Sequence, residues 1–167
     1  MARKILFQQA INEALDHEMA RDPTVILMGE DVVGGTGTDG EMDAWGGVLG
    51  EYPMSGWDKV FDLNVKALFH LTQCCLPYLR KAAAEHRGDP ARVINIGSID
   101  AMQVPMLETY SYSSSKAAIH QLTRHLARHL GRKNITVNAI APGPFESKMM
   151  AATLRDFGDS IAKSSPL

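Results

Sequence analysis

Arg92-Val-Ile-Asn-Ile-Gly97, the stretch Tyr110–Leu130 and Ile135-Thr-Val-Asn-Ala-Ile140 follow one another along the 167-residue chain. The first and last are short apolar runs rich in β-branched residues and bounded by Gly or Pro, which is how buried strands read. Between them, Ile119, Leu122, Leu126 and Leu130 recur at helical spacing and define an inward face. Strand, helix, strand in that order predicts two parallel strands joined by a right-handed crossover, an α/β fold.

Upstream, Ser55 with Asp58 resembles a capping pair. Trp57, Val60, Phe61, Val65, Leu68, Phe69, Thr72 and Leu76 continue from it as one apolar stripe. A long helix over 57–84, bent at Pro77, is predicted. Further upstream, Phe7, Ile11, Ala14, Leu15 and Met19 predict a helix over 5–20, and Val25-Ile-Leu-Met28 reads as another buried strand. Residues 29–50 hold eight of the 14 glycines together with Glu30, Asp31, Asp39 and Glu41, a composition suited to a long loop or linker.

Charge and composition exclude several classes. With 17 Lys+Arg against 19 Asp+Glu the net charge is -2, too small a field for nucleic-acid or acidic-membrane binding. No apolar stretch reaches signal-peptide or membrane-spanning length, so a cytoplasmic chain with no membrane partner is expected. Cys74 and Cys75, the only cysteines, are adjacent within an apolar helical pattern and are expected as core atoms in a reducing compartment.

Chemistry concentrates in Tyr112-Ser-Ser-Ser-Lys116. A phenol and an ammonium four residues apart on a helix share one face within reach of each other. An adjacent positive charge lowers a phenol's pKa by roughly 1–3 units, bringing it toward use as a general acid or base near neutral pH. Ser98 ends the run Val93-Ile-Asn-Ile-Gly-Ser98, where a hydroxyl is displayed at the carboxyl edge of a parallel sheet, the usual ligand crevice. Asn64, in Phe61-Asp-Leu-Asn-Val-Lys66, stands in mid-helix, where its side chain competes with the backbone and needs a reason to be present. Asn134-Ile-Thr-Val-Asn-Ala-Ile-Ala-Pro-Gly143 supplies the neighbouring strand and the turn after it.

Together these residues resemble the short-chain dehydrogenase/reductase family, particularly its 3-oxoacyl-reductase-like members, over residues 51–167. The resemblance implies a partial Rossmann-like parallel sheet with long crossover helices, NAD or NADP as cofactor, and a small carbonyl or alcohol as substrate. It implies Tyr112 as proton donor or acceptor, Ser98 as the hydroxyl that orients the substrate oxygen, and Lys116 as the group that lowers the Tyr pKa and holds the nicotinamide ribose. Asn64 would anchor a water in the proton relay, and Pro142 and Gly143 would lie beside the nicotinamide. The interval from Ser98 to Tyr112 is one residue longer than the family's commonest spacing, through Met106-Leu-Glu-Thr-Tyr110, which a loop absorbs.

Residues 1–50 resemble something else, the start of the beta subunit of thiamine-dependent 2-oxo-acid or acetoin dehydrogenases. The likeness lies in Gln8-Gln-Ala-Ile-Asn-Glu-Ala14, Asp22-Pro23, Gly29-Glu-Asp-Val32 and Asp43-Ala-Trp-Gly-Gly-Val-Leu-Gly50. The activating glutamate of that family has no counterpart here, Glu30 reads as an acid in a Gly-rich turn, and thiamine diphosphate is not expected to bind. Gly35-Thr-Gly-Thr-Asp-Gly40 is formally G-x-G-x-x-G, but Glu41-Met-Asp-Ala-Trp does not open a helix that could meet a pyrophosphate, and Asp39 and Glu41 would repel one. The chain therefore reads as a chimera joined near Gly50: a dehydrogenase beta-subunit-like segment over 1–50 and a truncated short-chain dehydrogenase/reductase catalytic part over 51–167. It ends before that family's last strand and helices. Two outcomes stay open, an oxidoreductase weakened by the lack of a nucleotide loop and a folded, catalytically silent chain that self-associates.

His120, Arg124, His125, Arg128 and His129 crowd one helix, and His125 and His129 have metal-compatible spacing. With no carboxylate or cysteine beside them, a solvated basic face is expected and no metal. Met149 and Met150 fall in a region resembling the family's substrate-covering segment. The two long helices carry apolar residues on more than one face, including Leu63, Ala67, Leu71, Cys75 and Ala118, which predicts a homo-oligomer formed through them.

Overall fold

The structure is a computed structural model, and it describes residues 49–86, 88–105 and 107–144 together with positions 13, 17, 20, 21, 155, 158–160 and 163. The chain divides into two compact units, one of residues 37–143 and one of 1–36 with 144–167. In the second of these, positions 13, 17, 20 and 21 are helical, whereas the strand expected at 25–28 lies outside the described residues.

In residues 37–143 the order is α1 (Met54–Phe61), a π-helical turn (Asp62–Ala67), α2 (Leu68–Glu85), β1 (Ala91–Ile96), α3 (Tyr110–Leu130) and β2 (Ile135–Ile140). The expected capping pair is not used. Pro53 is the N-cap, and its carbonyl accepts from Gly56 N at 3.0 Å and Trp57 N at 3.2 Å. A proline there has no N–H to leave unsatisfied. Pro77 lies inside α2, which continues past it to Glu85 although a proline there donates no bond to the helix ladder, and a separate π-helical irregularity precedes it over Asp62–Ala67.

β1 and β2 pair in parallel, from Ala91 opposite Ile135 to Ile96 opposite Ile140. Asn134, at φ 56°, turns the chain from α3 into β2 in the left-handed region that Asn tolerates. Ala83, Leu130, Ile135 and Val137 form the core, with Leu76, Leu79, Ala91, Val93, Leu126 and Ala127 packed on it. The helices therefore cover one sheet face. On the opposite face Ile94, Ile96 and Ile140 are about half exposed, at 57%, 49% and 52%.

Two expectations about faces are corrected. Of the expected inward face of α3, Ile119 and Leu130 are buried and Leu126 packs on the core, but Leu122 is only half-buried, and the buried row runs through Ser111, Ser115 and Thr123 as well. Small side chains in that row let α3 come close to α1 and the π-turn, which it contacts. On α2 Phe69 is exposed, and Cys74 lies on the outer surface as a free thiol rather than in the core, with Cys75 half-buried. No helix among the described residues is long and apolar enough to cross a membrane.

Candidate active site

The carboxyl end of β1 organises the site. Gly97 N donates to Ile140 O at 2.7 Å and Ile99 N to Pro142 O at 3.1 Å, so the segments leaving β1 and β2 run together past the strand ends. Ser98 is buried and caps a short 3-10 turn, Ile99–Ala101; its Oγ accepts from Asp100 N at 3.1 Å. An oxygen engaged as an acceptor keeps its own proton to donate. Asp100 is partly buried, and that desolvation raises its carboxyl above the ordinary value.

Tyr112 and Lys116 occupy successive turns of α3, both half-buried, with the Lys116 Nζ 5.5 Å from the centre of the Tyr112 ring. The same Nζ donates to the Ile96 carbonyl at 3.1 Å, across to the end of β1. The ammonium beside the Tyr112 ring is thereby fastened to the strand that displays Ser98 two residues on. Gly143, one residue past Pro142, is exposed, and a Cβ there would meet nothing nearer than Ile99 Cδ1 at 3.6 Å.

Asn64 lies in the π-turn, a distortion that recurs at functional sites because it widens the helix locally and re-aims a side chain. Its Nδ2 donates to Ser115 Oγ at 3.0 Å, and Ser115 Oγ in turn donates to the Tyr112 carbonyl at 2.7 Å. Asn64, Tyr112 and Lys116 are thus tied into one connected network, and Ser98 is joined to it through β1.

Three participants escaped the sequence reading. Ser115 links Asn64 to Tyr112; its signal was a serine three residues past the tyrosine, placed to bond back to a helical carbonyl. Tyr52 bonds Ser111 through its hydroxyl and meets Trp57 and Tyr110 edge-on, at centroid distances of 6.4 and 6.2 Å. His120, expected on the solvated basic face, is instead the next residue in the Tyr112–Lys116 register and fills the space over Gly97: a Cβ on Gly97 would fall 2.0 Å from its Nε2. That Nε2 is buried and has no hydrogen-bond partner among the described residues.

Residues 32–157 match the family described as short chain dehydrogenase. The Pseudomonas aeruginosa protein described as rhamnolipids biosynthesis 3-oxoacyl-[acyl-carrier-protein] reductase is 49% identical over 106 residues, 64% of this chain and 41% of that protein. A solved Pseudomonas aeruginosa RhlG/NADP active-site complex superposes with a TM-score of 0.61 at 43% identity, covering 72% of this chain and 45% of that one. A different relative, the Cupriavidus necator acetoin:2,6-dichlorophenolindophenol oxidoreductase subunit beta, is 70% identical over 50 residues, 30% of this chain and 15% of that protein. Two partial matches to unlike enzymes fit a chain of two parts, and the chain spans less than half the length of each of these relatives. With a parallel β1–α3–β2 crossover, a Tyr112/Lys116 pair beside the strand ends and a family match over 32–157, the chain belongs to the short-chain dehydrogenases.

Proposed function

We propose that this chain carries the reactive half of an NAD(P)-dependent oxidoreductase for a small carbonyl or alcohol, 3-oxoacyl compounds included. The observation that carries it is the Lys116 ammonium held beside the Tyr112 ring and bonded to Ile96 O, at the strand end that displays Ser98. Tyr112 gives or takes the proton of the substrate oxygen, and a neighbouring positive charge favours the phenolate that proton loss leaves behind. Ser98 orients that oxygen through its hydroxyl proton. Asn64 acts through Ser115 on the Tyr112 backbone and anchors a water in the proton relay.

Hydroxyl and ammonium donors at a sheet's carboxyl edge suit a ribose diol and a carbonyl, so the residues present fit the reactive end of a nicotinamide cofactor. Lys116 and Tyr112 would hold its ribose, with Pro142 and Gly143 beside the ring. A bound nicotinamide supplies hydride chemistry there. No metal takes part in this reading. The domain reading remains residues 1–50 as the beta-subunit-like segment and 51–167 as the catalytic part, in a cytoplasmic homo-oligomer, with no thiamine diphosphate bound. Asp39 and Glu41 beside Gly35-Thr-Gly-Thr-Asp-Gly40 support weak dinucleotide affinity and hence weak turnover.

Turnover of a 3-oxoacyl thioester with excess NADPH, in parent and Tyr112→Phe proteins, tests the reaction. Loss of at least about 100-fold in the variant is expected, within the range for removal of a general acid, and it should exceed the loss of cofactor affinity read by fluorescence titration, which reports only the ribose contact of the lost hydroxyl. Equal turnover in the two proteins refutes the role of Tyr112. The same titration is expected to give dissociation constants above about 0.1 mM, and tighter binding would refute the weakened cofactor site.

A further inference from the structure

The carboxyl-terminal half of α3 carries a feature that the reactive site does not use. His125 and His129 stand one turn apart on the exposed face, with their Nε2 atoms 3.0 Å apart and their rings tilted by 49° at a centroid distance of 4.8 Å. Two imidazole nitrogens approach this closely in two ways: one proton lies between them, or one cation does. The helix register alone brings the rings onto one face, but it does not bring the nitrogens into convergence.

We propose that His125 and His129 form a two-imidazole chelate for a borderline divalent cation, copper(II) or nickel(II) in preference to zinc. Imidazole nitrogens bind such ions at about 2.0–2.1 Å, and with the nitrogens 3.0 Å apart the angle at the metal is about 91–97°. That is the cis angle of a square-planar or octahedral ion, the geometry of copper(II) and nickel(II) with nitrogen and oxygen ligands. A tetrahedral zinc ion would want the two nitrogens about 3.3 Å apart by the same bond lengths.

Among the described residues no group of three or more His, Cys, Asp or Glu is placed to hold a metal, so water completes the coordination shell and the site is open and exchangeable. Gln121, Arg124 and Arg128 line the same shallow groove. The positive charge of the two arginines lowers affinity relative to an isolated pair, but Arg124 is turned onto Gln121, donating to Oε1 from Nε at 3.1 Å and from an Nη at 2.9 Å. A solvated basic face and a chelating pair are compatible on this helix, since the convergence of two nitrogens is a property of side-chain placement that spacing cannot reveal.

A second exposed pair gives the experiment its internal control. His70 Nε2 and Cys74 Sγ lie 3.7 Å apart on α2, a separation suited to a wider angle at a metal. Calorimetric titration of the untagged full chain carrying Cys74→Ser and Cys75→Ser, which removes the thiols that would bind zinc or reduce copper(II), with copper(II), nickel(II) and zinc(II) chlorides is the test, with circular dichroism confirming helix content in each variant. The expected result is copper and nickel bound more tightly than zinc, a loss of at least tenfold in copper affinity in both His125→Ala and His129→Gln, and no such loss in His70→Ala. Electron paramagnetic resonance of the copper complex should show tetragonal symmetry with two coupled nitrogens, reduced to one in either variant. Unchanged copper affinity in those two variants, or zinc bound more tightly than nickel, would overturn the proposal and leave the pair as an N–H···N hydrogen bond only.

Discussion

Asn64 Nδ2 donates to Ser115 Oγ at 3.0 Å, joining two residues 51 positions apart in the chain and seating the π-turn on α3. Since Ser115 passes the contact on to the Tyr112 carbonyl, the bond connects an irregular helix to the residue proposed as proton donor. Asn64→Ala and Ser115→Ala should each cost about 1–2 kcal/mol, with a coupling of about 1 kcal/mol in the double variant, because the two share one hydrogen bond. Urea midpoints of the four proteins measure this; strict additivity would show that the bond is energetically idle.

Gly97 and His120 compete for one volume. A Cβ on Gly97 would stand 2.0 Å from His120 Nε2, 2.5 Å from Cδ2 and 3.2 Å from Ile140 O. Gly97→Ala must drive the imidazole out, and a cost of about 1–3 kcal/mol is expected from overpacking. Adding His120→Ala should recover most of it. No recovery in the thermal midpoint would place the clash at the Ile140 carbonyl instead.

Asn95, on β1, donates through Nδ2 to Thr123 Oγ1 of α3 at 2.8 Å, and both residues are buried. Thr123→Val leaves the amide unsatisfied and should cost about 1–3 kcal/mol, whereas Asn95→Leu with Thr123→Val removes both polar groups and should cost less than the single change. Denaturant unfolding of the single and double variants decides it.

Burial raises the Asp100 carboxyl above its ordinary value. The folded chain then holds that proton more tightly than the unfolded chain. The carboxyl favours folding below the ordinary carboxylate range, and the contribution is lost as pH rises through the raised value. Asp100→Asn should therefore gain stability relative to the parent as pH goes from about 3 to about 7. Its backbone N–H still reaches Ser98 Oγ, so the turn is kept. A difference in thermal midpoint that shrinks over that range contradicts the assignment.

Leu63, Phe69, Ile94, Ile96 and Ile140 are exposed by 39%, 46%, 57%, 49% and 52%. Covering such side chains contributes roughly 25 cal/mol per Å² of apolar area before association costs. Light scattering is expected to show a species larger than a monomer at about 100 µM, far above micromolar association. A clean monomer at that concentration would refute self-association.

Sequence by itself determined the parts whose causes are local. Ile135–Ile140 and Tyr110–Leu130 form over the residues their apolar spacing marks, and Tyr112 and Lys116 share a face because a helix repeats every 3.6 residues. Tertiary structure alone decided which groups those elements meet. The row of α3 that is buried runs through Ser111 and Ser115 because α1 and the π-turn press there, and a hydrophobic period read from the chain points to larger side chains. Lys116 finds the Ile96 carbonyl, Asn64 finds Ser115, and His120 finds the bare Cα of Gly97 only once β1 and α3 are packed. Each of these contacts joins residues about 20 or more positions apart. A period of two or 3.6 residues carries no information at that range, so the shape of the packed interior selects the partner.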